Sequence, residues 1–118
     1  MADSYDVIIV GAGMVGAAAA CLLSKSDTTG KIKPLKIALV EASTAKPFSE
    51  DSFDPRVAAI TEKSRQILTS CGVWETIENL RVSPYLSMDV WDAESTGRIR
   101  FNCHDIHQPN LGHIVESS

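Results

Sequence analysis

The sequence predicts an α/β fold built around a parallel βαβ unit, with an antiparallel hairpin added further along, and three observations predict it. The run at residues 6–10, unbroken in β-branched residues from Val7 on, has no polar alternation, the pattern of a strand covered on both faces in a parallel sheet. That run passes through a glycine-rich turn into Ala17-Ala18-Ala19-Ala20-Cys21-Leu22-Leu23, small and straight-chain residues that favour helix. A second apolar run follows at residues 35–40, and chain chirality makes such a strand, helix, strand connection a right-handed crossover. Residues 24–34, between the helix and the second strand, are polar, carry Lys25, Lys31 and Lys33, and hold Gly30 and Pro34. They read as a surface loop of more than usual length.

Residues 42–55 are polar and irregular, with Pro47 and Pro55, and form a loop of the length usually kept for function. After Arg56, the run Val57-Ala58-Ala59-Ile60 leads to Thr61, which is placed to cap a helix with Glu62 in its first turn. Ile67 and Leu68 fall on the buried side of that helix, and Gly72 closes it. Val73, Trp74, Ile77 and Leu80 repeat at helical spacing and predict a second short helix before Pro84. Leu86, Met88 and Val90 alternate with polar neighbours, as do Ile99 and Phe101, with Asp92 to Gly97 between the runs, which predicts an antiparallel hairpin. Trp74 and Trp91 both read as core aromatics. Residues 111–115 open another ordered segment, yet the sequence stops at Ser118 with no helix or cap to finish it, so the chain reads as truncated. A strand such as residues 7–10 wants neighbours on both sides, and only one is in view, so the isolated chain is expected to be marginally stable and prone to associate.

Composition removes several classes of function. The 118 residues suit one small domain. Hydrophobic residues at 44% and charged residues at 22% are near globular averages and exclude a disordered chain. A formal net charge of −4 argues against a nucleic-acid partner, which clustered Lys and Arg would recognise. No apolar run approaches the roughly 20 residues that span a bilayer. The opening Met1-Ala2-Asp3-Ser4-Tyr5-Asp6 has two acids and no base, unlike a secretory signal or an Arg-rich transit peptide, so a cytoplasmic location is expected. Cys21, Cys71 and Cys103 are odd in number and widely spaced, and read as reduced, mostly packed thiols. Cys103-His104-Asp105-Ile106-His107 lacks a distant second ligand pair, so no metal site is expected.

The segment that carries chemistry is Gly11-Ala12-Gly13-Met14-Val15-Gly16, a G-x-G-x-x-G between strand and helix, with the acid Glu41 at the end of the next strand. In this context Gly11 permits the tight turn, Gly13 lets the backbone approach a pyrophosphate, and Gly16 lets the helix lie close to the sheet. The pattern predicts a Rossmann-like dinucleotide-binding unit. Amides at the helix start, with the positive end of the helix dipole, hold a pyrophosphate without Lys or Arg, which suits an acidic protein. Glu41 accepts from an adenosine ribose hydroxyl and repels a 2′-phosphate, which leaves FAD or NAD. The interval from Gly16 to Glu41 exceeds the usual spacing of roughly 20 residues, and the excess falls in the loop at 24–34. The plainer reading of the same glycines is a tight turn with no ligand.

Arg56 with Val57-Ala58-Ala59-Ile60 resembles the R-V-x-A-I signature of the flavin-dependent aromatic hydroxylases of ubiquinone biosynthesis. Gly72-Val73-Trp74, Met88-Asp89-Val90-Trp91-Asp92 and Leu111-Gly112-His113-Ile114-Val115-Glu116 resemble successive blocks of that family, in order and almost without gaps. The resemblance implies a Rossmann-like FAD-binding fold and an enzyme that uses NAD(P)H and O2 to hydroxylate a polyprenylated phenol or quinol ring. It implies cofactor contacts at Gly11, Gly13, Met14, Val15, Gly16, Glu41, Ala42 and Arg56, and it assigns no catalytic residue. Arg56 has a plainer role as a surface partner of Asp51 or Asp54. The resemblance also implies a complex with other proteins of the pathway and peripheral contact with the inner membrane. Family members continue with a second flavin-contacting segment and a substrate-covering sheet. Residues 1–118 are therefore expected to be the N-terminal part of an FAD/NAD(P)-binding domain, with the substrate domain absent and hydroxylation by this chain alone not expected. The competing readings are the nucleotide-binding domain of an NAD-dependent dehydrogenase, and an inactive truncated module that binds or associates.

Overall fold

Short-range pattern accounts for most of the elements in the computed structural model, which describes residues 3–25 and 29–117. The chain is mixed α/β, and the described residues form one parallel and two antiparallel sheets. It divides into two compact units, Met1–Phe48 and Ser49–Ser118.

In the first unit, strand β1 (Val7–Val10) leads through the glycine turn into helix α1 (Met14–Leu23) and then to strand β2 (Ile37–Val40). β1 and β2 pair in parallel, in the register Val7 with Ile37 through Val10 with Val40. The predicted βαβ unit is present. Of the predicted loop at 24–34, residues 26–28 lie outside the described residues. The expectation that β1 is covered on both faces is corrected: Ile8 is 64% exposed and Val10 84%. The reason lies in the layering. A Cβ added at Gly16 would lie 3.5 Å from Ile9 Cγ2, so the Ile9 face of the strand looks toward α1, while Ile8 and Val10 alternate to the other face.

In the second unit, strand β3 (Val57–Thr61) runs into helix α2 (Glu62–Ser70). Thr61 ends the strand and caps the helix, its hydroxyl accepting from the Ser64 N–H at 3.3 Å. Gly72 at φ 79° reverses the chain, and the Val73 N–H returns to the Leu68 carbonyl, which closes the helix with orphan carbonyls satisfied. Thr61→Ala is expected to cost about 1 kcal/mol of unfolding free energy, read as a lower urea midpoint at unchanged slope. Helix α3 (Trp74–Leu80) follows where the spacing predicted it.

Strand β4 (Val82–Tyr85) and strand β7 (Gly112–Glu116) complete a three-stranded sheet in the order β3, β7, β4, antiparallel throughout. Pro84 sits in β4, where a proline is tolerated because β4 is an edge strand. Strands β5 (Ser87–Trp91) and β6 (Arg98–Asn102) form the predicted hairpin. Within it Asp89 pairs with Arg98 at 2.9 Å and Arg100 at 2.8 Å. These guanidinium hydrogen bonds, Arg100 first, hold the Asp89 carboxyl well below the usual carboxylate range. Cys103 opens a short 3-10 turn (Cys103–Ile106) and is fully buried.

The buried core gathers Ile60, Leu68, Trp74 and Val115, with Ala58, Ile77 and Val82 packed against it. Trp74 is 5% exposed and meets the His113 ring edge-on with centroids 5.2 Å apart. The core reading of Trp91 is corrected. At 68% exposed, its side chain stands on a two-stranded hairpin that none of the other strands pairs with among the described residues. No helix among the described residues is long and apolar enough to cross a membrane.

Candidate functional site

The glycine turn is shaped by three constraints that differ residue by residue. Gly11 adopts φ 101°, a left-handed conformation that side chains disfavour, and its N–H donates to the Val40 carbonyl at 2.7 Å. That bond ties the end of β1 to the end of β2. Gly13 is the extended residue preceding α1, and a Cβ placed there would meet no described atom within 4 Å. Gly16 is the opposite case: a Cβ there would overlap the Gly11 carbonyl oxygen. Helix and turn therefore touch backbone to backbone, and glycine is what the contact admits.

No side chain caps α1. The amides of Met14, Val15 and Gly16 open the helix, where no carbonyl of a preceding turn exists to receive them. The positive end of the helix dipole lies at the same place. With open space in front of Gly13, this corner has donors, a favourable field and room, the features that suit a phosphate group.

Glu41 stands at the end of β2 and turns its carboxylate to the glycine turn. Its Oε2 accepts from the Ala12 N–H at 2.8 Å and its Oε1 from the Ser43 N–H at 3.0 Å. Those bonds, Ala12 first, favour the charged form and lower the Glu41 pKa. A carboxylate offers about four lone-pair sites, so acceptor capacity remains for a ribose hydroxyl. Ala42 follows directly, beside the carboxylate it helps to hold charged. The structure thus brings Gly11, Gly13, Met14, Val15, Gly16, Glu41 and Ala42 to one corner of the first unit.

Arg56 belongs to the second unit. Its side chain is 71% exposed and lies 3.6 Å from an Asp54 oxygen, and its N–H donates to Asp54 Oδ1 at 2.8 Å. This is the ion pair with Asp54 named among the sequence expectations. Two features escaped sequence reasoning. One is the bond between Glu41 and the Ala12 amide. The other is Arg81, which gathers a carboxylate and loop carbonyls around one guanidinium; an arginine and a glutamate at opposite ends of distant apolar runs were its only trace in the sequence.

Fold and site together define a mixed α/β chain with a glycine-turn βαβ unit and an acid at the end of its second strand. No family model matches it. Over 115 residues it is 40% identical to the mitochondrial ubiquinone biosynthesis monooxygenase COQ6 of Xenopus tropicalis, covering 96% of this chain and 24% of that protein. It is 39% identical over 118 residues to the COQ6 of Danio rerio, covering 98% of this chain and 23% of that one. It is 32% identical over 114 residues to the 3-demethoxyubiquinol 3-hydroxylase of Escherichia coli, covering 96% of this chain and 27% of that enzyme. Homologues of this chain over nearly its whole length are thus ubiquinone biosynthesis monooxygenases, as the signature at residues 56–60 and the later blocks anticipated. The chain spans about a quarter of the length of these relatives.

Proposed function

We propose that this chain is the N-terminal, FAD-binding portion of a flavin-dependent monooxygenase that hydroxylates a polyprenylated phenol or quinol ring in ubiquinone biosynthesis, with NAD(P)H and O2 as co-substrates. The observation that carries the reading is the corner itself: an uncapped helix start faced by an open glycine and by a carboxylate turned to the same turn. The names of the homologues support the reaction class.

In this reading the βαβ unit is Rossmann-like and takes the ADP half of FAD. Amides of Gly13, Met14, Val15 and Gly16 receive the diphosphate, Gly11 sets the turn, and Glu41 beside Ala42 receives the adenosine ribose. Arg56 contributes a guanidinium toward the cofactor's phosphates or ribityl chain, and Asp54 is its competing partner. FAD supplies the oxygen chemistry when bound, while the protein supplies position and electrostatics. The substrate pocket and the remaining flavin contacts belong to segments beyond these 118 residues, and pathway partners and a peripheral membrane contact belong to the whole enzyme.

A flavin absorbance titration tests the assignment. Glu41→Ala is expected to weaken FAD binding at least about tenfold, since a hydrogen bond to a charged acceptor is lost. The pH dependence has a definite sign. A carboxyl whose folded pKa is depressed contributes above the ordinary glutamate range, and its contribution fades as pH falls through the lowered value. The wild-type advantage over Glu41→Ala should therefore hold at neutral pH and disappear only in acid below that range. Equal affinity of the two proteins at neutral pH would remove Glu41 from the site.

A further inference from the structure

We propose that Arg81 is a positioning residue: by clasping the loop at residues 49–54 it fixes Asp54, and through Asp54 it sets where Arg56 presents its guanidinium. This deepens the flavin-binding reading and rests on it for the consequence at the cofactor, although the clasp is a feature of the second unit alone.

The geometry points to Arg81 because one side chain holds four oxygens. Its Nη1 donates to Glu116 Oε1 at 2.6 Å and to the Ser52 carbonyl at 3.1 Å. Its Nη2 donates to the Glu50 carbonyl at 2.9 Å and the Ser49 carbonyl at 3.2 Å. The Phe53 ring lies against the same guanidinium, 4.1 Å from its carbon to the ring centroid. A loop without secondary structure thus closes around a planar, permanently charged fork anchored between α3 and β4.

Glu116 carries the constraint onward. One of its oxygens receives Arg81 and the other receives the Asp54 N–H at 2.8 Å. Asp54 then accepts the Arg56 N–H and faces the Arg56 guanidinium, while the Arg56 carbonyl accepts the Ser117 N–H at 3.0 Å. Both the loop and Arg56, two residues after it, are therefore referred to the end of β7 through Glu116 and Ser117. The Glu116 side chain is 11% exposed and that of Asp54 14%, so these links are largely shielded from competing water. An exposed Arg56 otherwise has a long, freely rotating side chain, and ordering it in advance lowers the entropy lost when it meets a ligand.

The test uses Arg81→Lys, which keeps the charge but offers one point of donors instead of a fork, and Glu116→Gln as an independent break in the same chain. Amide exchange of Asp54 and Arg56 is measured by NMR, and FAD affinity by titration, each variant made in the wild-type and in the Arg56→Ala background of the full chain. Expected are faster exchange at both amides and a loss of FAD affinity of about tenfold that vanishes when Arg56 is already alanine, the signature of a residue acting through its neighbour. A merely structural role would weaken FAD binding equally in both backgrounds and overturns the proposal. Unchanged exchange in both variants also overturns it. If exchange quickens but Arg56→Ala itself leaves FAD binding untouched, the cofactor role of Arg56 is what fails, and the clasp survives only as a loop anchor.

Discussion

A chain carrying Gly13→Val is expected to fold and yet, on the proposed assignment of the diphosphate to the α1 amides, to lose FAD binding by about a hundredfold or more, the loss of about two amide hydrogen bonds to phosphate. The separation of the two effects follows from geometry. Gly13 has extended backbone angles that valine adopts without strain, and its Cβ would meet no protein atom within 4 Å. The cost to folding is then that of a poor helix cap, about 1 kcal/mol. The branched side chain would instead project into the open space beside the turn. Gly16→Ala is the control with the opposite signature, since its methyl would overlap the Gly11 carbonyl oxygen and force helix and turn apart. Overpacking of that kind typically costs about 1–3 kcal/mol and should lower thermal stability and binding together. Thermal unfolding and a flavin titration on both variants read the contrast. Wild-type affinity in Gly13→Val would mean that the glycine turn does not hold the cofactor.

Trp74→Ala is expected to destabilise the second unit by about 3–5 kcal/mol, the usual cost of emptying a large aromatic site. Domains have only about 5–15 kcal/mol in hand, so the variant should unfold at much lower urea and lose its near-ultraviolet circular dichroism. Trp74 closes the small core of Ile60, Leu68 and Val115 and packs edge-on against His113, and among the described residues that core cluster holds no second large aromatic to refill the space. Trp91→Ala supplies the comparison: the side chain is exposed, and its loss should stay within about 0.5 kcal/mol. Equal effects of the two substitutions would contradict the observed core.

These two tryptophans also mark how far the sequence could be read. Helical spacing placed Trp74 correctly because the same period that builds α3 also decides which face meets the core. The alternation that placed Trp91 in a hairpin was right as well, since β5 and β6 pair as expected. Alternation alone does not say whether a sheet face is covered, and this face is not. Strands β3 and β4 were not recognised, one hidden as a short apolar lead into a helix cap and the other masked by Pro84. Both are defined by pairing with β7, a partner distant along the chain from β3, and such pairings leave no local period.

At the candidate site, the spacing of Gly11, Gly13 and Gly16 and the acid at position 41 were legible because each answers a local backbone demand. The direction of the Glu41 carboxylate toward Ala12 was not, since it depends on how β1 and β2 align. Arg56 was legible as a residue of interest, while its link to Asp54, Glu116 and Arg81 was not.

By itself the sequence determined the parallel βαβ unit, the glycine turn, the capped helix α2, the hairpin and the likeness to ubiquinone biosynthesis monooxygenases, because hydrophobic period, turn chemistry and motif spacing act over neighbouring residues. Only the tertiary structure decided that β7 is a central strand, that one face of β1 and the side chain of Trp91 stand open, and that a single guanidinium gathers the loop before Arg56. Those outcomes depend on which distant segments meet, and contacts across dozens of residues are chosen by the packing of the whole unit.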